Sequence, residues 1–199
     1  MKEYYDRRAP EYDDWYLGRG KWSARDRLSW DRELARLTQT IARLPAGRTL
    51  DVACGTGFLT RHLRGLAVGL DQSAAMVEIA QARLPEGLAL RGDALALPFA
   101  AGSFERVLTA HFYGHLPPEE RAAFLAEARR VAAELVVVDS ALRPGVEAEA
   151  WQERVLNDGS RHRVFKRHLA PDVLRDELGG GEVLLAGTWF VAVRAPART

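Results

Sequence analysis

Short, continuously apolar runs alternate along this chain with longer segments of near-helical spacing. Runs at 48–53, 67–71, 88–92, 105–110 and 134–139 have the length of strands. Consecutive apolar positions, clearest in Leu135–Asp139 (LVVVD), predict strands covered on both faces. The segments between them at 57–64, 73–83 and 118–133 predict helices, the last opened by Pro117-Pro118. Upstream, Leu28, Leu34, Leu37, Ile41 and Leu44 recur at close to helical spacing, predicting a helix within 23–44 that Pro45-Ala46-Gly47 stops. Downstream, a helix is predicted at 171–178 and a closing hairpin at 182–195, turning at Gly187-Thr188. Alternation at this pitch predicts an α/β fold with a parallel sheet and right-handed crossovers. Two segments stand outside it. Residues 1–20 are rich in Tyr, Asp and Arg, and 140–168 is long for a connection, carrying Trp151, Asn157, His162 and His168.

The loops after the first three strands carry the chemistry. LDVACGTGFLT (50–60) reads as a strand ending in an acid, a small-residue turn and a helix start. Gly55 and Gly57 supply unusual backbone angles and bare backbone against which a ligand can lie. Free N–H groups at a helix start bind polar or anionic groups. A dinucleotide fingerprint would place its third glycine at position 60, where Thr60 stands, which weakens a nicotinamide reading. Asp71 ends the second strand at the distance from the glycine loop where an acid holds two ribose hydroxyls, and Ser73 is placed to cap the next helix. Asp93 ends the third strand, where an adenine ring would lie.

LDVACGTG, GLDQSAAM and GDALALPFAAGSFERV, followed by His115-Leu116, occur in order and at matching spacing over roughly 50–140. In this the chain resembles the class I S-adenosylmethionine-dependent methyltransferases, most of all the small-molecule branch that includes ubiquinone/menaquinone-type C-methyltransferases. The resemblance implies a single-domain, Rossmann-like, seven-stranded and mostly parallel sheet, with helices on both faces and a C-terminal antiparallel hairpin. It implies S-adenosyl-L-methionine (SAM) as cofactor, contacted by Tyr12, Asp51, Ala53, Gly55, Gly57, Asp71, Gln72, Met76, Asp93, Ala94 and Ala110. The glycine loop would cradle the methionine part, Asp71 the ribose and Asp93 the adenine amino group. Ala53, Ala101 and Glu105 depart from the family's commoner Gly, Asp and Asp; Ala53 tightens the loop without removing the site. YDRRAPEYD resembles the branch's cofactor-covering N-terminal segment. The implied layout is one domain over 1–199: an N-terminal helical lid (1–45), a cofactor-binding core (46–140), and a substrate-side connection with the final hairpin (141–199).

Composition adds bounds. The chain has 199 residues, 47% hydrophobic and 28% charged, which suits one soluble globular domain. A net charge of +1 gives no reason to expect nucleic acid. No apolar run approaches the roughly 20 residues of a membrane helix. The polar, acidic N-terminus does not read as a targeting peptide, and the single Cys54 fits a reducing cytoplasm. A monomer or homodimer is expected.

AHFYGHL (110–116) follows the fourth strand on the edge where open α/β sheets bind ligands. His111 and Tyr113 are therefore candidates for substrate contact or general-base work, whereas His115 is expected to pack beneath the loop. Several methyltransferase classes are disfavoured at this position. It lacks the [D/N]PP[Y/F] motif of amine-modifying nucleic-acid enzymes, the nucleophilic Cys of cytosine-C5 enzymes, and the Asp of metal-dependent catechol enzymes. The expected function is in-line methyl transfer to a small organic acceptor, without a metal and with a base only where the acceptor must lose a proton. The alternative is a non-catalytic SAM- or S-adenosylhomocysteine-binding sensor, which would keep the cofactor motifs and lack an acceptor pocket.

Overall fold

A computed structural model of the chain describes residues 2–23 and 26–196. Its strands are β1 (Thr49–Val52), β2 (Ala67–Asp71), β3 (Leu88–Arg91), β4 (Phe104–Ala110), β5 (Ala132–Ser140), β6 (Glu149–Val155), β7 (Arg161–Arg167), β8 (Glu182–Ala186) and β9 (Phe190–Pro196). Its α-helices are α1 (Lys2–Arg8), α2 (Asp14–Leu17), α3 (Arg27–Ala42), α4 (Ala74–Arg83), α5 (Pro118–Val131) and α6 (Pro171–Glu177). Seven strands form one sheet in the order β3-β2-β1-β4-β5-β9-β8, and β6 and β7 form a separate antiparallel pair. β1 to β5 are parallel, whereas β9 runs antiparallel to both β5 and β8. The chain thus has the parallel α/β sheet and closing hairpin that its pattern predicts, in the seven-stranded, Rossmann-like form that the resemblance implies. No helix among the described residues is long and apolar enough to cross a membrane.

The continuous apolar runs are explained by two-sided burial. Leu135 and Val137 of β5 enter the core under α5 and α6, with Phe124 and Leu174. Val136 and Val138 enter the opposite core, with Trp30, Leu37 and Ile41 of α3. Local chemistry sets the helix ends. Ser73 caps α4 by accepting the Met76 N–H (3.2 Å), and Asp26 caps α3 through Ser29 N–H (3.3 Å). α5 starts at Pro118, with Glu119 and Glu120 in its first turn and Arg129 and Arg130 in its last, as the helix dipole favours.

The structure differs from the sequence reading at three places. The helix expected at 57–64 is one 3-10 turn, Thr60–His62. Ala53, Gly55 and Gly57 all have left-handed φ, and Gly65 does again, so only one helical turn fits between them and β2. The helix expected to reach 133 stops at Val131, and β5 begins at Ala132. The connection 140–168 contains the β6–β7 hairpin. Of the helix expected within 23–44, residues 24 and 25 lie outside the described residues.

One carboxylate ties α3 to the sheet. Glu33, 6% exposed, accepts N–H bonds from Thr188 (2.9 Å), Trp189 (2.7 Å) and Phe190 (2.7 Å) in the β8–β9 turn. Replacement by Ala leaves these donors without an acceptor. We expect Glu33→Ala to lower unfolding stability by roughly 2–4 kcal/mol in urea titration. A loss under about 0.5 kcal/mol would show that water replaces the carboxylate.

Candidate functional site

Two neighbouring cavities, sharing Tyr5, Tyr12, His111 and His115 as lining residues, lie at the carboxyl ends of β1, β2, β4 and β5. The first is lined on the loop after β1 by Ala53 and Gly55, and after β2 by Asp71 and Gln72. Asp93 and Ala94 line it beyond β3, and Ala110 and His111 at the end of β4. Tyr5 and Tyr12 complete it from the N-terminal segment. Nine of the residues singled out in the sequence therefore meet around one space: Tyr12, Ala53, Gly55, Asp71, Gln72, Asp93, Ala94, Ala110 and His111.

The backbone is shaped for a ligand here. Gly55 has φ +55°, and a Cβ on it would stand 3.2 Å from Tyr12 Cε1. Two non-glycine residues among those described have left-handed backbone, Ala53 (φ +58°) and His111 (φ +56°), and both line this cavity. Such conformations cost of order 1 kcal/mol or more each and gather at functional sites. Asp71 Oδ2 accepts the Gly55 N–H and Oδ1 the Ser73 N–H, both at 2.9 Å. Each oxygen keeps a lone pair, so the carboxylate can accept two further hydroxyls. Burial raises its pKa despite the stabilising backbone bonds. Asp93 accepts Leu95 N–H (2.8 Å), which holds the loop after β3 open toward the cavity.

Four singled-out residues lie behind the cavity wall. Asp51, 1% exposed, accepts the Thr60 hydroxyl (2.5 Å), and burial pushes its carboxyl up to about 7. Gly57 packs on Ala80 of α4, and Met76 is fully buried. Tyr113 is 1% exposed with its hydroxyl on Glu177 (2.9 Å), and lines neither cavity. The structure thus corrects the pairing of Tyr113 with His111: the 3-10 turn Tyr113–His115 points Tyr113 into the core under α5.

His111 and His115 line both cavities. The His111 ring is set edge-on against Trp15 at 4.7 Å between centroids, and neither ring nitrogen has a hydrogen-bond partner among the described residues. His115 packs beneath the loop as expected: Nδ1 donates to the Phe165 carbonyl (2.6 Å), which leaves Nε2 as the unprotonated nitrogen. Burial, reinforced by Lys166, pushes both imidazoles down to about 3, so both are neutral at pH 7.

The second cavity, of about 560 Å³, has the size of ordinary small-molecule sites. Its roof comes from the two segments left outside the sheet pattern. Tyr4 of α1 packs with Leu156 and Val164 of the hairpin, and Asn157 N–H donates to Glu11 (3.0 Å). The N-terminal segment is also pinned to the loop after β1: Asp13 accepts from Thr56 (2.6 Å) and Arg83 (2.5 Å), and Tyr16 stacks on Phe58 at 4.1 Å. Below the roof, fully buried Asp139 accepts Lys166 Nζ of β7 (2.5 Å), Gly114 N–H (2.8 Å) and Ser140 N–H (2.7 Å). Burial alone would raise its pKa; the Lys166 ammonium and the two histidines hold it down at about 2.

The sequence reading missed Arg8, Arg143, Arg154 and Lys166, all of which line the second cavity. The available signal was Asn157-Asp158-Gly159, a turn flanked by residues of alternating burial in β6. Read as a hairpin, it turns the basic stretch 160–168 into a strand with one face inward. His162 stands apart from both cavities against Tyr4 (5.1 Å), whereas His168 lines the second.

Residues 49–134 match the family model described as a methyltransferase domain. Among curated proteins, the demethylmenaquinone methyltransferase of Thermotoga maritima is 38% identical over 101 residues, covering 48% of this chain and 43% of that protein. The phthiotriol/phenolphthiotriol dimycocerosates methyltransferase 1 of Mycobacterium ulcerans is 34% identical over 151 residues, covering 69% of this chain and 53% of that protein. The chain therefore spans about half the length of these relatives. Among solved structures, the DhpI–SAH complex has a TM-score of 0.74 and 26% identity, covering 98% of this chain and 94% of that one. The DhpI–SAM–HEP complex has a TM-score of 0.72 and 25% identity, covering 98% and 95%.

The Asp139–Lys166 pair generates a double-mutant test. Lys166→Met strands a buried carboxylate, and we expect it to lower stability at pH 7 by roughly 3–5 kcal/mol. Adding Asp139→Asn removes the stranded charge and should recover most of the loss in the same denaturant titration. Additive losses in the double mutant would show that the two groups act independently.

Proposed function

We propose that this chain, whose residues 49–134 belong to the methyltransferase domain family, is a class I enzyme that transfers a methyl group from SAM to a small organic acceptor. The observation that carries this reading is that two neighbouring cavities share His111 and His115, with Tyr5 and Tyr12, as common walls. The first has the features a SAM site needs, and the second provides room for an acceptor on the far side of the two imidazoles. A protein that only senses the cofactor has no use for the second space. The DhpI–SAM–HEP complex supports it: a relative of the same outline over 98% of this chain is found with SAM and a further component.

Each residue's role follows from its position. Ala53 and Gly55 offer left-handed backbone against the methionine part, and Tyr12 closes over Gly55 from above. Asp71, its carboxylate fixed by two backbone N–H groups, accepts the ribose hydroxyls. Gln72, Asp93 and Ala94 frame the adenine end. Bound SAM supplies a methyl group already activated on a sulfonium, so the protein's work is positioning and the exclusion of water. Tyr5, Tyr12 and Trp15 exclude water from the N-terminal side, which is the role of a lid. His111 is neutral, and its two ring nitrogens, enclosed against Trp15 and without a hydrogen-bond partner among the described residues, become available to hold the acceptor or take its proton once Trp15 shifts.

Incubation with methyl-labelled SAM and a fractionated small-molecule extract tests the activity. Label should move to an acceptor, and calorimetry should show SAM and S-adenosylhomocysteine (SAH) binding. Asp71→Ala should weaken SAH binding by roughly 1.5–3 kcal/mol, the scale of hydrogen bonds to a charged group, with the fold intact by circular dichroism. SAH affinity unchanged in Asp71→Ala would remove the ribose assignment. SAH binding without label transfer to any fraction would turn the reading toward a sensor.

A further inference from the structure

The second cavity is cationic beyond what the fold needs. Arg8, Arg143, Arg154 and Lys166 line it, and the lining carboxylate is that of the exposed Glu147. Lys166 is matched by Asp139. None of the three arginines forms an ion pair among the described residues. Arg8 donates to the Tyr4 hydroxyl (2.5 Å) and lies 4.9 Å from the Tyr12 ring centroid. Arg154 donates to Gln152 Oε1 (2.5 Å), and Arg143 lies over the Trp189 ring at 4.4 Å. These partners are neutral. They orient the guanidiniums; Glu33 acts on Arg143 from a distance, while the partners of Arg8 and Arg154 leave the charge of those two unmatched.

Unpaired, partly buried guanidiniums are costly, and two of like sign facing one space cost more. Burial, with a smaller contribution from the Arg8 charge, holds Arg154 below its ordinary range. Arg8 comes from the N-terminal segment and Arg154 from the hairpin, the two pieces added to the sheet. Bound SAM, with its sulfonium, ammonium and one carboxylate, carries one net positive charge and so does not remove the excess. A neutral acceptor leaves this excess standing, whereas an acceptor carrying an oxyanion removes it and matches the planar donor forks of arginine. Trp189 and Trp151 supply flat apolar walls for the rest of such a molecule, Trp151 at the open side, where it is 60% exposed.

We infer that the methyl acceptor is a small organic anion, a carboxylate or phosphoryl compound with an apolar body, whose charged group is held by Arg8 and Arg154. This rests on the methyltransferase reading above, since it assigns the occupant of the acceptor cavity.

The test uses the full chain saturated with SAH and three probes: benzoate, phenylphosphonate and the neutral benzamide. By calorimetry, at least one of the two anions should bind roughly tenfold or more tightly than benzamide. Whichever anion binds more tightly identifies the head group. Arg8→Gln and Arg154→Gln, on separate elements, should each weaken that binding roughly tenfold or more, with SAH affinity held within about twofold. Arg154→Lys should recover part of it. Benzamide binding as well as the anions overturns the inference, and so does full anion affinity in glutamine variants that still bind SAH. So does absence of anion binding in a protein that binds SAH. Failure of the unmodified protein to bind SAH at all would instead remove the methyltransferase reading, and this inference with it.

Discussion

The ligand edge of this protein depends on one buried ion pair. Asp139 stands at the end of a central strand, fully enclosed, and receives bonds from three directions: its own strand end, the turn carrying His115, and Lys166 on a hairpin outside the sheet. A lone carboxylate at this depth would cost several kcal/mol, so the lysine is held as firmly as the strand. The β6–β7 hairpin is also held by His115 on the Phe165 carbonyl, by Arg167 on Glu177 of α6, and by the backbone bonds between Leu169 and Ser140 and Leu142. Together with these, the ion pair converts a polar two-stranded ribbon into a fixed wall. That wall carries Arg154, and it meets α1 through Tyr4, so the roof over both cavities follows from it.

The sheet and the first cavity were legible in the sequence because their physics is local. A strand buried on both faces must be continuously apolar, and a loop that lets a ligand reach backbone must use small residues. Hence β1 to β5 and the closing hairpin follow from the pattern, and the lining residues from the loop motifs together with the family resemblance they carry. Asp51, Gly57 and Met76 share the same motifs, yet sit one layer behind the cavity, where they fasten the loop: motif spacing identifies the loop and not which way each side chain faces. Tyr113 shows the same limit, since one 3-10 turn decides whether it meets the cavity or the core.

The acceptor side was not legible because it is built by contacts between residues distant in sequence. Arg8 and Arg154 are 146 positions apart in number, and each alone reads as an ordinary surface cation. The hairpin's polar alternation lacks the apolar signature of a core strand, because only one of its faces is covered, and by the N-terminal segment. This division has a functional logic. The cofactor half uses a constant geometry, so its motifs recur from one methyltransferase to another. The second cavity, proposed above to take the acceptor, is made from pieces added to the sheet, which can vary while the sheet stays the same. Strain marks the border between the two cavities: His111, left-handed in backbone and with neither ring nitrogen hydrogen-bonded among the described residues, lines both.

The central claim is that the cofactor's reacting end faces the second cavity across His111 and His115. The most direct measurement is a crystal structure of the protein with SAH bound. The account predicts the ribose hydroxyls on Asp71, the adenine beside Asp93 and Ala94, and the sulfur where the two cavities adjoin, in contact distance of His111. SAH lying in the arginine-lined cavity, or its sulfur directed away from His111 and His115, would contradict it.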